Sequence, residues 1–152
     1  MQTIFTLNKL SMDFYTKYPT TQYAEIEYKP SRPYVVMVVN IDGNKFALPL
    51  RTNIRHNYCY KFKNTGRDTQ SSTGIDFTKA VIVNEEKYIG APTTIDNKEY
   101  VELMNKFYFV IKKFRNYLNG YVDYRRNGGD EFTARKYQFT TLQYFERELG
   151  IY

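Results

Sequence analysis

At 152 residues and 42% hydrophobic content, the chain can build one hydrophobic core and has little room for a second, so residues 1–152 read as a single domain. No apolar run approaches the ~18 residues of a membrane span, Met1 to Phe5 lacks a secretory n-region, and the lone Cys59 excludes an internal disulfide, which together point to the cytosol. Lys and Arg outnumber Asp and Glu by 22 to 16, a net charge of +6 that favours polyanionic partners, and 16 Tyr and 11 Phe supply flat rings without any Trp.

Along the chain, Gln2 to Leu7 reads as a strand, and Asn8 is a plausible N-cap for a short helix running to about Tyr18, where Pro19 stops it. Residues 19–33 hold three prolines and read as loop with a short extended piece. The clearest signal follows. Tyr34 to Ile41 is a strand, Asp42-Gly43 a two-residue turn of the kind that needs positive φ, and Lys45 to Leu50 the returning strand.

Asn57 to Phe62 alternates as a further strand, residues 64–74 form an exposed polar loop, and Phe77 to Asn84 is a strand around Ala80-Val81-Ile82-Val83. Residues 85–95 read as a connection. From Asp96 the period becomes helical: Tyr100, Leu103, Met104, Phe107, Ile111, Phe114 and Leu118 share a face, with Lys106, Lys112, Lys113 and Arg115 opposite. Asn119-Gly120 should end or kink this helix, and Tyr121 to Arg126 forms a separate helical piece. A final short helix, capped by Thr140 or Thr141, carries Leu142, Phe145 and Leu149 and stops at Gly150. Strands followed by helices predict an α+β fold with a strongly curved antiparallel sheet or small barrel.

The residue inventory narrows the chemistry. One histidine and one cysteine cannot assemble a His/Cys zinc site, no phosphate-binding glycine loop or dinucleotide fingerprint is present, and no carboxylate set has the spacing of a two-metal nuclease. No metal or cofactor is therefore expected. A basic, hydroxyl-rich set remains, which suits RNA transesterification: the substrate brings its own nucleophile, and the protein positions the phosphate and moves protons. Ala47 to His56 concentrates such groups, because a strand runs directly into Arg51, Thr52, Asn53, Arg55 and His56.

These blocks carry a resemblance. Arg32-Pro33-Tyr34-Val35-Val36, the Asp42-Gly43 turn, Phe46 to His56, Gly74-Ile75-Asp76-Phe77-Thr78-Lys79-Ala80-Val81 and Tyr137-Gln138-Phe139-Thr140-Thr141-Leu142-Gln143-Tyr144-Phe145 stand in the order found in toxins of type III toxin–antitoxin systems. The chain is most similar to the TenpN branch, with ToxN, AbiQ and CptN as more distant relatives. The resemblance implies a curved sheet related to the MazF/Kid toxins and a sequence-selective endoribonuclease leaving 2′,3′-cyclic phosphate and 5′-hydroxyl ends. It also implies a repeated RNA pseudoknot as antitoxin and a role in growth arrest or abortive phage infection.

Residue roles follow from the same match. Thr52 fills the family's hydroxyl position after the A-P-L-like strand. Ile54 occupies the place of the following lysine, so Arg55 or His56 would have to substitute, and His56 is the better proton carrier. Tyr28 and Arg32 match a tyrosine and a basic residue ahead of the first hairpin strand, whereas the family's helix tyrosine has only Tyr15 or Ser11 nearby. The expected catalytic set is thus Thr52, Arg55, His56, Tyr28 and Arg32. Tyr15, Arg51, Asn53, Lys112, Lys113, Arg115, Arg125 and Arg126 would grip RNA. A non-catalytic RNA-binding module using the same surface is the rival reading, and a protein-interaction domain a third.

Overall fold

A computed structural model describes residues 4–28, 34–67 and 72–151. Among these the fold is α+β: an antiparallel sheet of seven strands, one long helix and several short helical turns. Its strands are β1 (Thr6–Leu10), β2 (Val35–Ile41), β3 (Asn44–Arg51), β4 (Cys59–Lys61), β5 (Gly74–Asp76), β6 (Val81–Ile82) and β7 (Ile89–Pro92). The order across the sheet is β4-β5-β3-β2-β1-β7, with β6 also on β3. No described pairing joins β4 to β7, so the sheet is open and the small-barrel expectation is not met.

The hairpin forms where the sequence placed it. Asp42 and Gly43 have φ of 52° and 86°, the double positive φ of a type I′ turn, and Val36 pairs with Pro49 down to Ile41 with Asn44. Both faces of β3 are covered, and its period of two sorts them. Ala47, Pro49 and Arg51 look toward α1 (Met12–Lys17), while the Phe46 ring meets Phe114 of α2 (Asn97–Asn127).

Several expectations shift. Asn8 does not cap a helix. It lies in β1, and Ser11 caps α1 by accepting from the Phe14 amide at 3.3 Å. The residue pattern there alternates long enough to join β2 on one side and β7 on the other. Gln2 and Thr3 lie outside the described residues. The connection over 85–95 contains strand β7, and the strand expected over 77–84 begins as a 3-10 turn, Phe77–Lys79, because the Asp76 carboxylate caps Thr78. The last helix is shorter than expected, a 3-10 turn at Thr141–Tyr144 capped by Thr140, preceded by the unforeseen α3 (Glu131–Lys136).

Gly120 neither ends nor kinks α2, which runs unbroken for 31 residues and stops at Gly128, where φ is 81°. Gly120 serves packing instead. A Cβ there would land on the hydroxyl of Tyr137, which is fixed by donating to the Tyr117 carbonyl at 2.9 Å. Gly→Ala inside a helix normally stabilises by ~1 kcal/mol. Gly120→Ala is expected to destabilise by about 1–3 kcal/mol through overpacking, read as a lower urea midpoint at unchanged slope.

The buried face of α2 is also rotated from the expected one. Leu103, Phe107, Val110, Phe114, Tyr117, Leu118 and Tyr121 face the core, while Tyr100 and Met104 are exposed. Two carboxylates, Glu99 and Glu102, are buried with that face and fasten the loop after β4. Glu99 takes a bidentate contact from Arg67, both distances 2.9 Å, and the Thr65 hydroxyl at 2.7 Å. Glu102 accepts from the Tyr60 hydroxyl, the Lys63 amide and the Asn64 amide. Burial pushes the Glu102 pKa up, but these donors outweigh it and hold the carboxyl below its ordinary range.

Candidate active site at the end of strand β3

The site is built where β3 runs out. Arg51, its last residue, is held at three points. Nη1 donates to Asp76 Oδ2 at 3.1 Å, Nη2 stands 3.7 Å from Glu27, and the guanidinium lies 5.4 Å over the Tyr34 ring. Asp76 is 1% exposed and gathers the neighbouring elements. Its Oδ1 accepts from the Thr78 amide at 2.9 Å and the Thr78 hydroxyl at 2.6 Å, and His56 Nε2 approaches the same oxygen at 3.2 Å.

Two clefts flank Arg51. One, toward α1, encloses about 410 Å³ including its mouth and is lined by apolar residues with Tyr15, Glu27, Tyr34, Arg51, Lys79 and Thr141. Lys79 Nζ donates to the Glu25 carbonyl at 3.2 Å. Burial lowers its pKa, and of the charges around it Glu27 opposes that shift while Arg51 adds to it. Burial, followed by the nearby Tyr34 and Tyr28 hydroxyls, pushes Tyr15 up to about 12, so it serves as a donor at neutral pH. The other cleft, about 620 Å³ including its mouth, lies toward α2. Arg51 and Thr52 line it together with Arg67, Asp96 and Glu99.

The expected residues divide between these clefts. Thr52 is exposed and opens onto the α2 side, next to Asn53, whose φ of 56° turns the chain away from the strand direction. Tyr28 lies on the α1 side, its ring 4.5 Å from that of Tyr15 and its hydroxyl donating to Met12 Sδ at 3.2 Å. Arg51 is the expected residue that lines both. Arg55 is exposed and makes no hydrogen bond or ion pair with a described residue. Arg32 lies outside the described residues.

His56 is near the site but already engaged. Its Nδ1 accepts from the Tyr58 amide at 3.0 Å, which assigns the ring proton to Nε2, facing Asp76. Neither nitrogen offers a lone pair to solvent, so this arrangement uses the ring to brace Asp76 and does not present it to a 2′-hydroxyl. The distal basic residues also differ in their engagements. Arg115 pairs with Asp42 at 3.0 Å, Arg125 with Glu146 at 2.8 Å, and Arg126 donates to the Gly150 carbonyl at 2.9 Å, whereas Lys112 and Lys113 are exposed.

Sequence reasoning missed Asp76, Lys79 and Glu27. Lys79 sat inside a run that read as strand, and Asp76 lay just before its first residue. The one available signal was Asp76-Phe77-Thr78, an Asp two residues before a Thr, which is a local capping pattern. Among the described residues, no group of three or more His, Cys, Asp or Glu is placed to hold a metal ion, and no helix is long and apolar enough to cross a membrane. The open antiparallel sheet with a helix on each side defines the class of the protein as α+β. Comparison with known proteins finds no match among family models, curated proteins or solved structures.

Proposed function

We propose that this protein is a metal-independent endoribonuclease, the toxin of a type III toxin–antitoxin pair of the TenpN kind, acting in the cytoplasm. The observation that carries the reading is the end of β3. A strand delivers a fixed guanidinium, Arg51, and an accessible hydroxyl, Thr52, side by side at the rim of a cleft. A phosphodiester seated there would meet a cation held in place before it arrives, which stabilises charge without reorganisation. The substrate's 2′-hydroxyl would give its proton to a base as its oxygen attacks phosphorus, and the bond from phosphorus to the 5′-oxygen would break. The leaving 5′-oxygen would take a proton from an acid, so that no net proton is consumed. The products are a 2′,3′-cyclic phosphate and a 5′-hydroxyl.

With His56 engaged, the proton-exchange groups that remain are Tyr28 of the expected set and Lys79, whose pKa is lowered; both lie on the α1 side, so they reach the reaction only if the substrate extends past Arg51, which lines both clefts. The curvature of a MazF/Kid-like sheet, the repeated RNA pseudoknot antitoxin and the role in abortive infection belong to the same reading. The engaged His56 favours one rival, an RNA-binding module without catalysis, and one experiment separates the two. Purified protein is incubated with mixed-sequence RNA in excess chelator. Cleavage with cyclic-phosphate ends is expected, falling by roughly 10²-fold or more in Thr52→Ala while RNA binding persists. Binding with no cleavage by the unaltered protein would establish the rival.

A further inference from the structure

Outside the two clefts, the surface of α2 has a one-sided charge. From Asn97 to Val122 its acidic residues are Glu99 and Glu102, and both are buried, 0% and 6% exposed, under the loop after β4. The exposed positions carry Lys98, Lys106, Lys112 and Lys113, and the helix neighbours Glu99 and Glu102 leave almost no carboxylate surface beside them. Within this surface, Lys106, Phe109 and Lys113 stand at i, i+3 and i+7, one stripe on the side facing β4. Phe109 is 58% exposed, and its ring meets Tyr60 of β4 edge-on at 6.1 Å. Lys61, the next residue of that strand, is exposed, and Lys61 and Lys113 both act on the Cys59 thiol, opposing the rise that burial causes.

We propose that Lys106, Phe109 and Lys113 of α2, with Lys61 of β4, form a track for single-stranded RNA apart from the Thr52 cleft, Phe109 stacking one base. Glu99 of the same helix lines that cleft, and Phe109 stands ten residues further along, about 15 Å at 1.5 Å per residue, beyond the loop that covers Glu99 and Glu102. A ring with an open face, set among lysines, gives the two elements of sequence-tolerant single-strand binding: a stacking platform and backbone neutralisation. A second copy of the chain is the poorer occupant, since a symmetric contact would bring the same lysines against each other. A duplex is poorer too, since its bases are already stacked and cannot use the ring. This inference deepens the endoribonuclease reading and rests on it only in taking RNA as the ligand.

The test uses a fluorescent twelve-nucleotide 2′-O-methyl RNA, which cannot be cut because its 2′-oxygens are blocked. Fluorescence anisotropy over a range of salt is measured for the full chain, Phe109→Ala and Lys106→Ala/Lys113→Ala. Phe109→Ala is expected to weaken binding at least fivefold with the salt dependence unchanged. The double lysine variant is expected to weaken it further and to flatten the log–log salt slope by about 1.4, two contacts at ~0.7 each. Both variants alter exposed side chains, and their unchanged melting confirms folding. Affinities within twofold of the parent overturn the track, as does equal affinity for a duplex of the same length. A dimer broken by Phe109→Ala with RNA affinity unchanged would also overturn it and assign the stripe to self-association. Loss of binding in these variants of a protein that cuts no RNA would uphold the track and overturn the nuclease. Normal cutting with unchanged binding would do the reverse.

Discussion

Asp76→Ala is expected to cost about 2–4 kcal/mol of stability and to reduce RNA cleavage roughly 10²-fold even where the variant is folded. The stability loss has two sources. Asp76 caps the turn at Phe77–Lys79, a contribution of ~1 kcal/mol, and it is the partner of Arg51, whose partly buried charge is left with the more distant Glu27. The activity loss follows from position. Arg51 would no longer be fixed at the cleft rim, and a displacement near 1 Å at a reacting centre is worth about that factor. Asp76→Asn should recover little. Thr78 gives two donors to one oxygen, Arg51 gives one to the other, and the His56 Nε2–H faces the first. An amide offers a single acceptor oxygen, so its NH₂ must confront either Arg51 or the Thr78 and His56 group. Thermal melting and single-turnover cleavage below the variant's transition check both parts. Cleavage by folded Asp76→Ala at the unaltered rate would remove Arg51 from the mechanism.

That Asp76 had to come from the structure says where sequence reading stops. The β2–β3 hairpin was legible because its two determinants are local: alternating apolar runs and an Asp-Gly pair with backbone freedom for positive φ. The α+β class followed from the change of period at Asp96. The two clefts were not legible. They arise because β3 receives β6 over Phe46 and Ala47 and β5 over Leu50 and Arg51, long-range pairings with no signature in either short strand. Thr52 was read correctly as a residue at a strand end, yet its separation from Tyr28 by the thickness of the sheet depends on that topology. His56 appeared to be the natural proton carrier, because imidazole chemistry is visible in a sequence and the Tyr58 amide that occupies it is not.

The buried carboxylates of α2 make the same point in energetic terms and lead to the second large effect. Glutamates in a helix otherwise rich in lysine look like members of a solvated face, which is why the expected apolar stripe was displaced. Glu99 has no exposed surface and depends on Arg67 and Thr65 for its hydrogen bonds, apart from the helix N-terminus it sits in. Removing one partner of a buried pair leaves an uncompensated charge, whereas removing both leaves none. Arg67→Ala is therefore expected to destabilise the protein by about 2–4 kcal/mol, and Arg67→Ala/Glu99→Leu to recover most of that loss. The favourable field of the helix N-terminus on Glu99 places the single variant toward the lower end of that range. Urea unfolding of the two single variants and the double variant gives the coupling directly. A double variant no more stable than Arg67→Ala would mean that the loop after β4 is held by Glu102 and its backbone donors, with the guanidinium free to serve the cleft it borders.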